Sequence, residues 1–514
     1  NGEPCALLTT KGFEDVLKIG DQSRPQIFDL RIDRLDVLYS IVMEIDERVT
    51  MEDFAEDPDQ LKTNLQENKD PNLVYGKSGE IIRIIKRPNE KEVLEVLQKI
   101  YDTGVRSLAV AFLHSYTFPE HEKLVGDLAE KVGFTHISLS SDISPMIKYV
   151  PRTHSSVADA YLTPVIKRYI DTFCMGVKNG TETKIQFMQS DGGLTDANKF
   201  SGLKSILSGP AGGVIGVAAT SYHKDYPHAY IGLDLGGTST DICRYSGVLE
   251  HVFETITAGI AIQSPQLDVK TIAAGGSSML FFENGLFRVG PDSATSNPGS
   301  ACYRKGGPLT ITDANLFLGR LVPEFFPKIF GPHENEPLDI DIVDKKFSEL
   351  TETINKELGK NLTADEVAHG FLQVATESMA RAIRTLTEAK GHIVADHRLV
   401  SLGGAAGQLI SFVGESLDID TILIHRYASI LSAYGIFLAD VVTEEQEPCS
   451  FILEESTAAI ESKFQELTKK SLTVIQSWFL NSRGLISKLV LQTCIKRSLG
   501  FHMRKKILLW TIFE

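Results

Sequence analysis

The sequence predicts an α/β fold, and three observations carry the prediction. Between Lys91 and Leu139 an amphipathic helix, an apolar strand, a second helix and a second strand follow one another, the spacing of a partly parallel sheet. Tyr230 to Asp241, read Y-I-G-L-D-L-G-G-T-S-T-D, is a short apolar strand interrupted by a carboxylate and turned by two glycines. Far downstream, Arg398 to Leu402 is another apolar strand, and it runs straight into Gly403-Gly404.

In order, Ala6 to Thr9 reads as a strand, and Gly12 to Gly20 has helical spacing at Phe13, Val16, Leu17 and Ile19. Val42 to Val49 alternates loosely and predicts one strand; Met51 to Lys77 is polar and acidic, the composition of a loop or an edge insertion. Lys91 to Tyr101 sets Val93, Val96, Leu97 and Ile100 on one helical face. Ser107 to Leu113 is a buried-strand run, Glu120 to Lys131 a helix and Thr135 to Leu139 a strand. Ser156 to Phe173 predicts a helix that Pro164 kinks or restarts. Thr183 to Gln189 is a strand entering Ser190-Asp-Gly-Gly193, and small residues from Ser208 open a helix through Thr220.

The stretch around Asp234 carries the chemistry. A carboxylate among core residues is costly without a partner or an ion. Gly236 and Gly237 let the backbone turn and approach a ligand; Thr238, Ser239 and Thr240 add hydroxyls, and Asp241 closes the run. Such a turn is a cradle for phosphate, with a hydrated Mg²⁺ held beside it by the carboxylate; a tight hairpin with a capping Asp is the plainer alternative. Beyond it, Ile242 to Tyr245, a turn at Ser246-Gly247, and Val248 to Phe253 predict a hairpin.

Residues 254–320 read as loop-rich, with one hairpin turn at Asn284-Gly285. Arg304 and Lys305, followed by Gly306-Gly307, form a small basic, flexible site. Ala364 to Lys390 is the clearest helix, with a capping box at Thr363 and Glu366 and Gly391 as its C-cap. Ile422 to Ile424 and Ile430 to Leu438 read as core elements, and Ser456 to Phe479 as a helix. Lys496 to Glu514 mixes basic and large apolar residues, as an altered or truncated terminus or a membrane-surface or partner-binding helix would.

Net charge is −15, which argues against non-specific binding to nucleic acid or anionic membranes. No apolar run is long enough to span a bilayer. Six dispersed cysteines without a C-x-x-C pair point away from disulfide or zinc frameworks and toward a reducing, cytoplasmic setting.

The turn at 234–241 resembles the phosphate hairpin of the actin, sugar-kinase and Hsp70-like ATPases. Its flanks narrow the likeness: Ser190-Asp-Gly-Gly193, Leu207-Ser-Gly-Pro-Ala-Gly-Gly213, Ala274-Gly-Gly276, Ala301-Cys-Tyr-Arg-Lys-Gly-Gly307 and Gly403-Gly-Ala-Ala-Gly407 occur in that order. The series resembles the hydantoinase A/5-oxoprolinase family; His114-Ser-Tyr116, Ala160-Tyr-Leu-Thr-Pro164 and Thr312-Asp-Ala-Asn315 look most like its eukaryotic ATP-dependent 5-oxoprolinases.

The resemblance implies actin-like ATPase lobes with the first incomplete: residues 1–185 as the remainder of an N-terminal-type lobe, 186–446 as the ATPase domain, and 447–514 as a divergent or truncated segment. It implies ATP and Mg²⁺, with Asp234 organising the metal, Gly236, Gly237, Thr238 and Ser239 cradling phosphate, Thr240 and Asp241 fixing the turn or orienting water, and Gly403 and Gly404 bordering adenosine. The implied activity is ATP-dependent hydrolysis of 5-oxo-L-proline to L-glutamate, a glutathione-cycle reaction, in a homo-oligomer that includes a hydantoinase-B-like portion. A catalytically incomplete binding module and a hydantoinase-type cyclic amide hydrolase are the alternatives. Departures from the family pattern are the lack of a first D-x-G-G-T-F-T-D-like hairpin before Thr183, and Lys270, Asn297 and Leu409 where the family often has histidines.

Overall fold

Six consecutive buried residues form the first strand, β1 (Cys5–Thr10). A strand buried on both faces belongs inside a parallel sheet covered by helices on each side. The computed structural model, which describes residues 2–20, 37–53, 63–177, 185–257, 259–450 and 457–480, builds that arrangement. After β1 come α1 (Val16–Ile19), β2 (Ile41–Ile45), β3 (Arg48–Met51), β4 (Leu73–Tyr75), β5 (Ile81–Lys86), α2 (Glu90–Asp102), β6 (Ser107–Ala111), α3 (Glu120–Val132), β7 (His136–Leu139), α4 (Ser140–Ile143) and α5 (Tyr149–Gly176). The main sheet runs β2-β1-β6-β7 with every pair parallel. Val93, Leu97 and Ile100 of α2 and Val125 and Leu128 of α3 pack on one face. Leu17 of α1 and Val157 and Ala160 of α5 pack on the other.

Three expectations for this half need correction. Val42 to Val49 is two strands, not one: the chain bends at Asp46-Glu47, Ile45 enters the main core, and Val49 enters a small separate cluster under the antiparallel sheet β3-β5-β4. The polar stretch 51–77 contributes β4 to that sheet. The helical spacing of Gly12 to Gly20 yields only the single turn α1. Pro164, by contrast, sits inside the 28-residue α5, which continues past it.

The second half opens with β8 (Gln186–Met188), β9 (Leu194–Asp196) and α6 (Ser208–Ser221), then β10 (Ala229–Leu235) and β11 (Thr240–Tyr245). Short strands follow: β12 (His251–Val252), β13 (Thr255–Thr257), β14 (Ile260–Ile262), β15 (Gln266–Leu267), β16 (Val269–Ile272), β17 (Ser278–Glu283) and β18 (Leu286–Ser293). The remaining elements are α7 (Ile311–Phe317), α8 (Ile340–Leu358), α9 (Ala364–Glu388), β19 (His397–Leu402), α10 (Ile410–Ser416), β20 (Ile422–Ile424), α11 (Leu431–Leu438) and α12 (Thr457–Leu480).

Five strands form the second sheet, in the order β16-β11-β10-β19-β20. β11 runs antiparallel to its neighbours β16 and β10, and β19 and β20 continue parallel to β10. Strand alternation sorts β10 between the two sides. Ile231, Leu233 and Leu235 join the core built by α7, α8, α9 and α10. Tyr230 faces α6 and α11, as do Gly232, whose missing side chain leaves room for Val217, and Asp234. The carboxylate at 234 therefore occupies the face away from the large core, one residue before the strand ends.

The hairpin expected at Ser246-Gly247 does not form. β11 lies between β10 and β16, whereas β12 pairs with β15, so the chain leaves the sheet at that turn. Glu250 is drawn to Arg244 and Lys390 instead. The loop-rich reading of 254–320 also underestimates the region, which holds six short strands; the Asn284-Gly285 turn does join β17 to β18, with φ of 53° and 75°. α9 has the expected capping box but is capped at Ala389, two residues before Gly391. No helix among the described residues is long and apolar enough to cross a membrane. The basic-apolar stretch Lys496 to Glu514 lies outside the described residues.

Candidate functional site

Asp234 and Asp241 sit directly opposite one another on β10 and β11, and Gly236 to Ser239 make the turn between the strands. The Gly236 amide closes it by donating to the Ser239 carbonyl (3.0 Å). The loop after β16 braces it from outside: Gly276 N–H donates to the Gly236 carbonyl (3.0 Å) and Ser277 N–H to the Gly237 carbonyl (2.6 Å). This contact demands glycine at 275, where a Cβ would lie 2.5 Å from the Gly237 oxygen and 2.8 Å from the Thr238 nitrogen. Thr240 is fully buried and its Oγ1 donates to the Ala274 carbonyl (2.5 Å), locking the turn to the same loop. With these carbonyls engaged, the amides of Gly237, Thr238 and Ser239 donate to no described residue, and Gly237 and Thr238 are exposed. The result is a fixed row of open N–H donors, a geometry of the kind that suits an anion.

Ser432 of α11 donates its Oγ to Asp234 Oδ2 (2.6 Å). Thr271 of β16 donates its hydroxyl to Asp241 Oδ1 (2.5 Å). Burial pushes the Asp241 carboxyl above the usual carboxylate range; the Thr271 hydroxyl opposes that shift, and the charge of Asp234 adds to it. Both carboxylates line one small recess with Pro210, Gly213 and Leu402. Cys243 borders the same recess, but burial pushes its thiol up to about 12, so it carries no thiolate at neutral pH.

The parallel register of β10 and β19 pairs Asp234 with Leu402, so Gly403 is the next residue along. Gly403 has φ of 80°, and a Cβ there would stand 2.4 Å from Asp234 Oδ1 and 2.5 Å from the Leu235 carbonyl. Its amide donates to the Ala428 carbonyl (3.0 Å), and the Ala405 amide to the Leu235 carbonyl (3.0 Å). Gly404 is exposed, with nothing within 4 Å of a would-be side chain. The two glycine turns thus adjoin at the carboxyl ends of β10 and β19, where open α/β sheets bind ligands.

The structure also brings in residues with no site role expected from the sequence, although Thr312 and Asn315 belong to a motif that carries the family resemblance. Ser432 is an isolated serine in an apolar helix. Thr312 of α7 donates both its amide and its hydroxyl to the Gly276 carbonyl (2.9 Å each), and Asn315 on the next turn donates Nδ2 to Gln408 Oε1 (3.1 Å). The basic pair proves structural: Arg304 is tied to Asp339 (2.9 Å) and the Pro337 carbonyl (2.7 Å), and Lys305 lies 3.5 Å from Glu334. Leu409 is fully buried in the main core. Among the described residues no group of three or more His, Cys, Asp or Glu side chains is placed to hold a metal ion.

Two family models match the chain: "Hydantoinase/oxoprolinase" over residues 152–445 and "Hydantoinase/oxoprolinase N-terminal region" over residues 1–133. The 5-oxoprolinase of Saccharomyces cerevisiae is 63% identical over 489 residues, 95% of this chain and 38% of its own length. That of Dictyostelium discoideum is 47% identical over 488 residues, 91% of this chain and again 38% of its own. The chain therefore spans less than two fifths of these relatives. The crystal structure of the ATP-dependent caprolactamase from Pseudomonas jessenii shares the fold, with a TM-score of 0.69 at 24% identity, over 92% of this chain and 65% of that one. The chain belongs to the hydantoinase/oxoprolinase family.

Proposed function

We propose that this chain is the nucleotide-binding portion of an ATP-dependent 5-oxoprolinase, which opens 5-oxo-L-proline to L-glutamate. The observation that carries the reading is the meeting of two glycine turns around Asp234: the open amides of 237–239 on one side and the exposed Gly404 on the other. On this reading residues 186–446 hold the nucleotide, 1–185 form the facing lobe and 447–514 are an appended segment. Hydrolysis of an unstrained lactam is unfavourable near neutral pH, so coupling to ATP is chemically apt. Transfer of the γ-phosphoryl group to the lactam oxygen turns the ring carbon into a better target for water.

The roles proposed for the residues are those the resemblance implies and their geometry supports. The amides of Gly237, Thr238 and Ser239, set by Gly236, receive the terminal phosphates. Thr240 holds the turn rigid through Ala274. Gly403 admits the close approach to Asp234, and Gly404 borders adenosine. Asp234, oriented by Ser432, and Asp241 are a carboxylate pair suited to the water shell of Mg²⁺, which takes one or two carboxylates plus phosphates rather than a full protein cage. When bound, Mg²⁺ supplies charge neutralisation at the phosphates. Asp241, with its raised carboxyl, is the group suited to orient water.

Lactam opening itself is assigned to the assembled protein, a homo-oligomer with the hydantoinase-B-like portion. A cytoplasmic setting accords with the free cysteines at 5, 174, 243, 302 and 449. Titration of the chain with ATP and Mg²⁺ by calorimetry tests the core of the reading. Saturable binding that Asp234→Ala weakens at least about 10-fold is expected; no binding, with the chain folded, overturns it.

A further inference from the structure

We propose that the turns closing β1 and β6 form a second ligand site, where Arg48 holds the carboxylate and His114 the ring amide of a cyclic amide acid, 5-oxo-L-proline; naming that ligand rests on the reading above. In the sheet order β2-β1-β6-β7 the chain first steps outward from β1 to β2 and then returns to the other side of β1. The strand order therefore reverses between β1 and β6. Open α/β sheets bind ligands outside the carboxyl ends of their strands at such a point. The two strand ends are tied together there, the Leu113 amide donating to Thr10 Oγ1 (3.0 Å).

Arg48 is the cation left over at this end of the sheet. Glu44 accepts three backbone amides of the turn after β1, from Gly12 (2.6 Å), Phe13 (3.0 Å) and Glu14 (3.2 Å). Asp46 pairs with Lys11 (3.1 Å) and Lys86. Glu47 is buried between the Thr10 hydroxyl and His121 Nδ1 (2.8 Å). Arg48 comes next in the chain, is partly exposed, and makes no hydrogen bond or ion pair with a described residue. Its guanidinium lies over the Phe13 ring, 5.2 Å from the centroid, and Phe13 meets Tyr149 edge-on at 5.6 Å. The charge thus stands beside an apolar wall, and its planar fork matches a carboxylate bidentately. Arg152, by contrast, is fully buried and commits its guanidinium to the Phe112 and Met146 carbonyls (2.7 Å each).

His114 follows β6 by three residues and has φ of 57°, a left-handed conformation that glycine adopts without strain and histidine does not. The Thr117 and Phe118 amides donate to its carbonyl (3.0 Å each), which explains the turn but not the imidazole. The ring is partly exposed, and neither nitrogen has a hydrogen-bond partner among the described residues. Burial, then the charges of Arg152 and Arg48, holds its pKa below the usual histidine value, against an opposing pull from Glu47. At neutral pH the ring is therefore an uncharged donor and acceptor within electrostatic reach of Arg48. A lactam presents the complement, an N–H beside a carbonyl oxygen.

The test is calorimetric titration of the chain with 5-oxo-L-proline, with 2-pyrrolidinone, which lacks the carboxylate, and with inorganic phosphate, each with and without ATP and Mg²⁺. The expected result is 5-oxo-L-proline at least about 10-fold tighter than 2-pyrrolidinone, no displacement by phosphate, and Arg48→Ala binding the two lactams alike. His114→Gly should keep the urea midpoint at or above that of the unaltered chain while both lactams bind at least about 10-fold more weakly and ATP binds as before. A merely structural His114 would do the reverse, with a lower midpoint and intact lactam binding. The comparison of ligands on the unaltered chain does not depend on how the variants fold. Equal affinity for the two lactams overturns the inference, as does displacement by phosphate, which would mark a general anion site. Failure of 5-oxo-L-proline to bind while ATP binds overturns this inference alone; failure of ATP to bind overturns the nucleotide reading.

Discussion

Replacing each of the two adjacent glycines at 403 and 404 by alanine separates folding from ligand contact. At Gly403 the new methyl would stand 2.4 Å from Asp234 Oδ1 and 2.5 Å from the Leu235 carbonyl, with φ at 80°. The left-handed conformation alone costs Ala about 1–2 kcal/mol, and displacing a strand carbonyl adds about 1–3 kcal/mol, for about 2–5 kcal/mol together. At Gly404 φ is not positive and nothing lies within 4 Å, so Ala there leaves stability unchanged or raises it by less than about 1 kcal/mol. If adenosine rests on that backbone, the same methyl removes about 1–3 kcal/mol of binding, roughly 5- to 150-fold in Kd. Urea unfolding and ATP calorimetry on both variants give the four numbers needed. Gly404→Ala with wild-type stability and wild-type ATP affinity would refute the placing of adenosine at this turn.

Two further outcomes follow, one from a contact at the site and one from the opposite end of the second sheet. Ser432→Ala removes the hydroxyl that orients Asp234; stability should fall by about 1 kcal/mol, and the Mg²⁺ requirement for nucleotide binding should rise several-fold in a metal titration, while an unchanged titration would detach Ser432 from the site. His397 accepts from Arg244 Nε at Nε2 (2.9 Å) while its Nδ1 faces the Ile393 carbonyl, which defines a neutral ring. Burial, then the Arg244 charge, holds its pKa below the usual histidine value. The unfolded chain therefore binds this proton more readily, so the contribution is full above about pH 6.5 and is lost as pH falls toward the lower folded value. His397→Gln, which keeps an acceptor for Arg244, should remove that part of the acid slope in urea midpoints; an identical slope in both proteins contradicts the assignment.

The α/β character was legible because periodicity reports burial: β1 and β6 are continuous apolar runs, while α2 and α9 carry one apolar face. The tight turn at 236–239 was legible because Asp234 and the two glycines break the composition of a buried strand. Helix α8 carries Val343, Phe347 and Ile354 at helical spacing, so its period is in the sequence although its place is not. What could not be read depends on tertiary destination. Val42 to Val49 alternates in the same way whether it is one strand or two; only the separate packing of Ile45 and Val49 splits it. Ser246-Gly247 is a good turn, but its flanks pair with β10 and β15 rather than with each other. Ser432 and Gln408 have no local signature, because their roles come from neighbours distant in the chain.

Amide hydrogen exchange with and without ATP and Mg²⁺ tests the central claim most directly. Joint protection of residues 236–239 and 403–408 on nucleotide addition is the predicted result. Nucleotide binding that protects other segments and leaves both turns unchanged would contradict it.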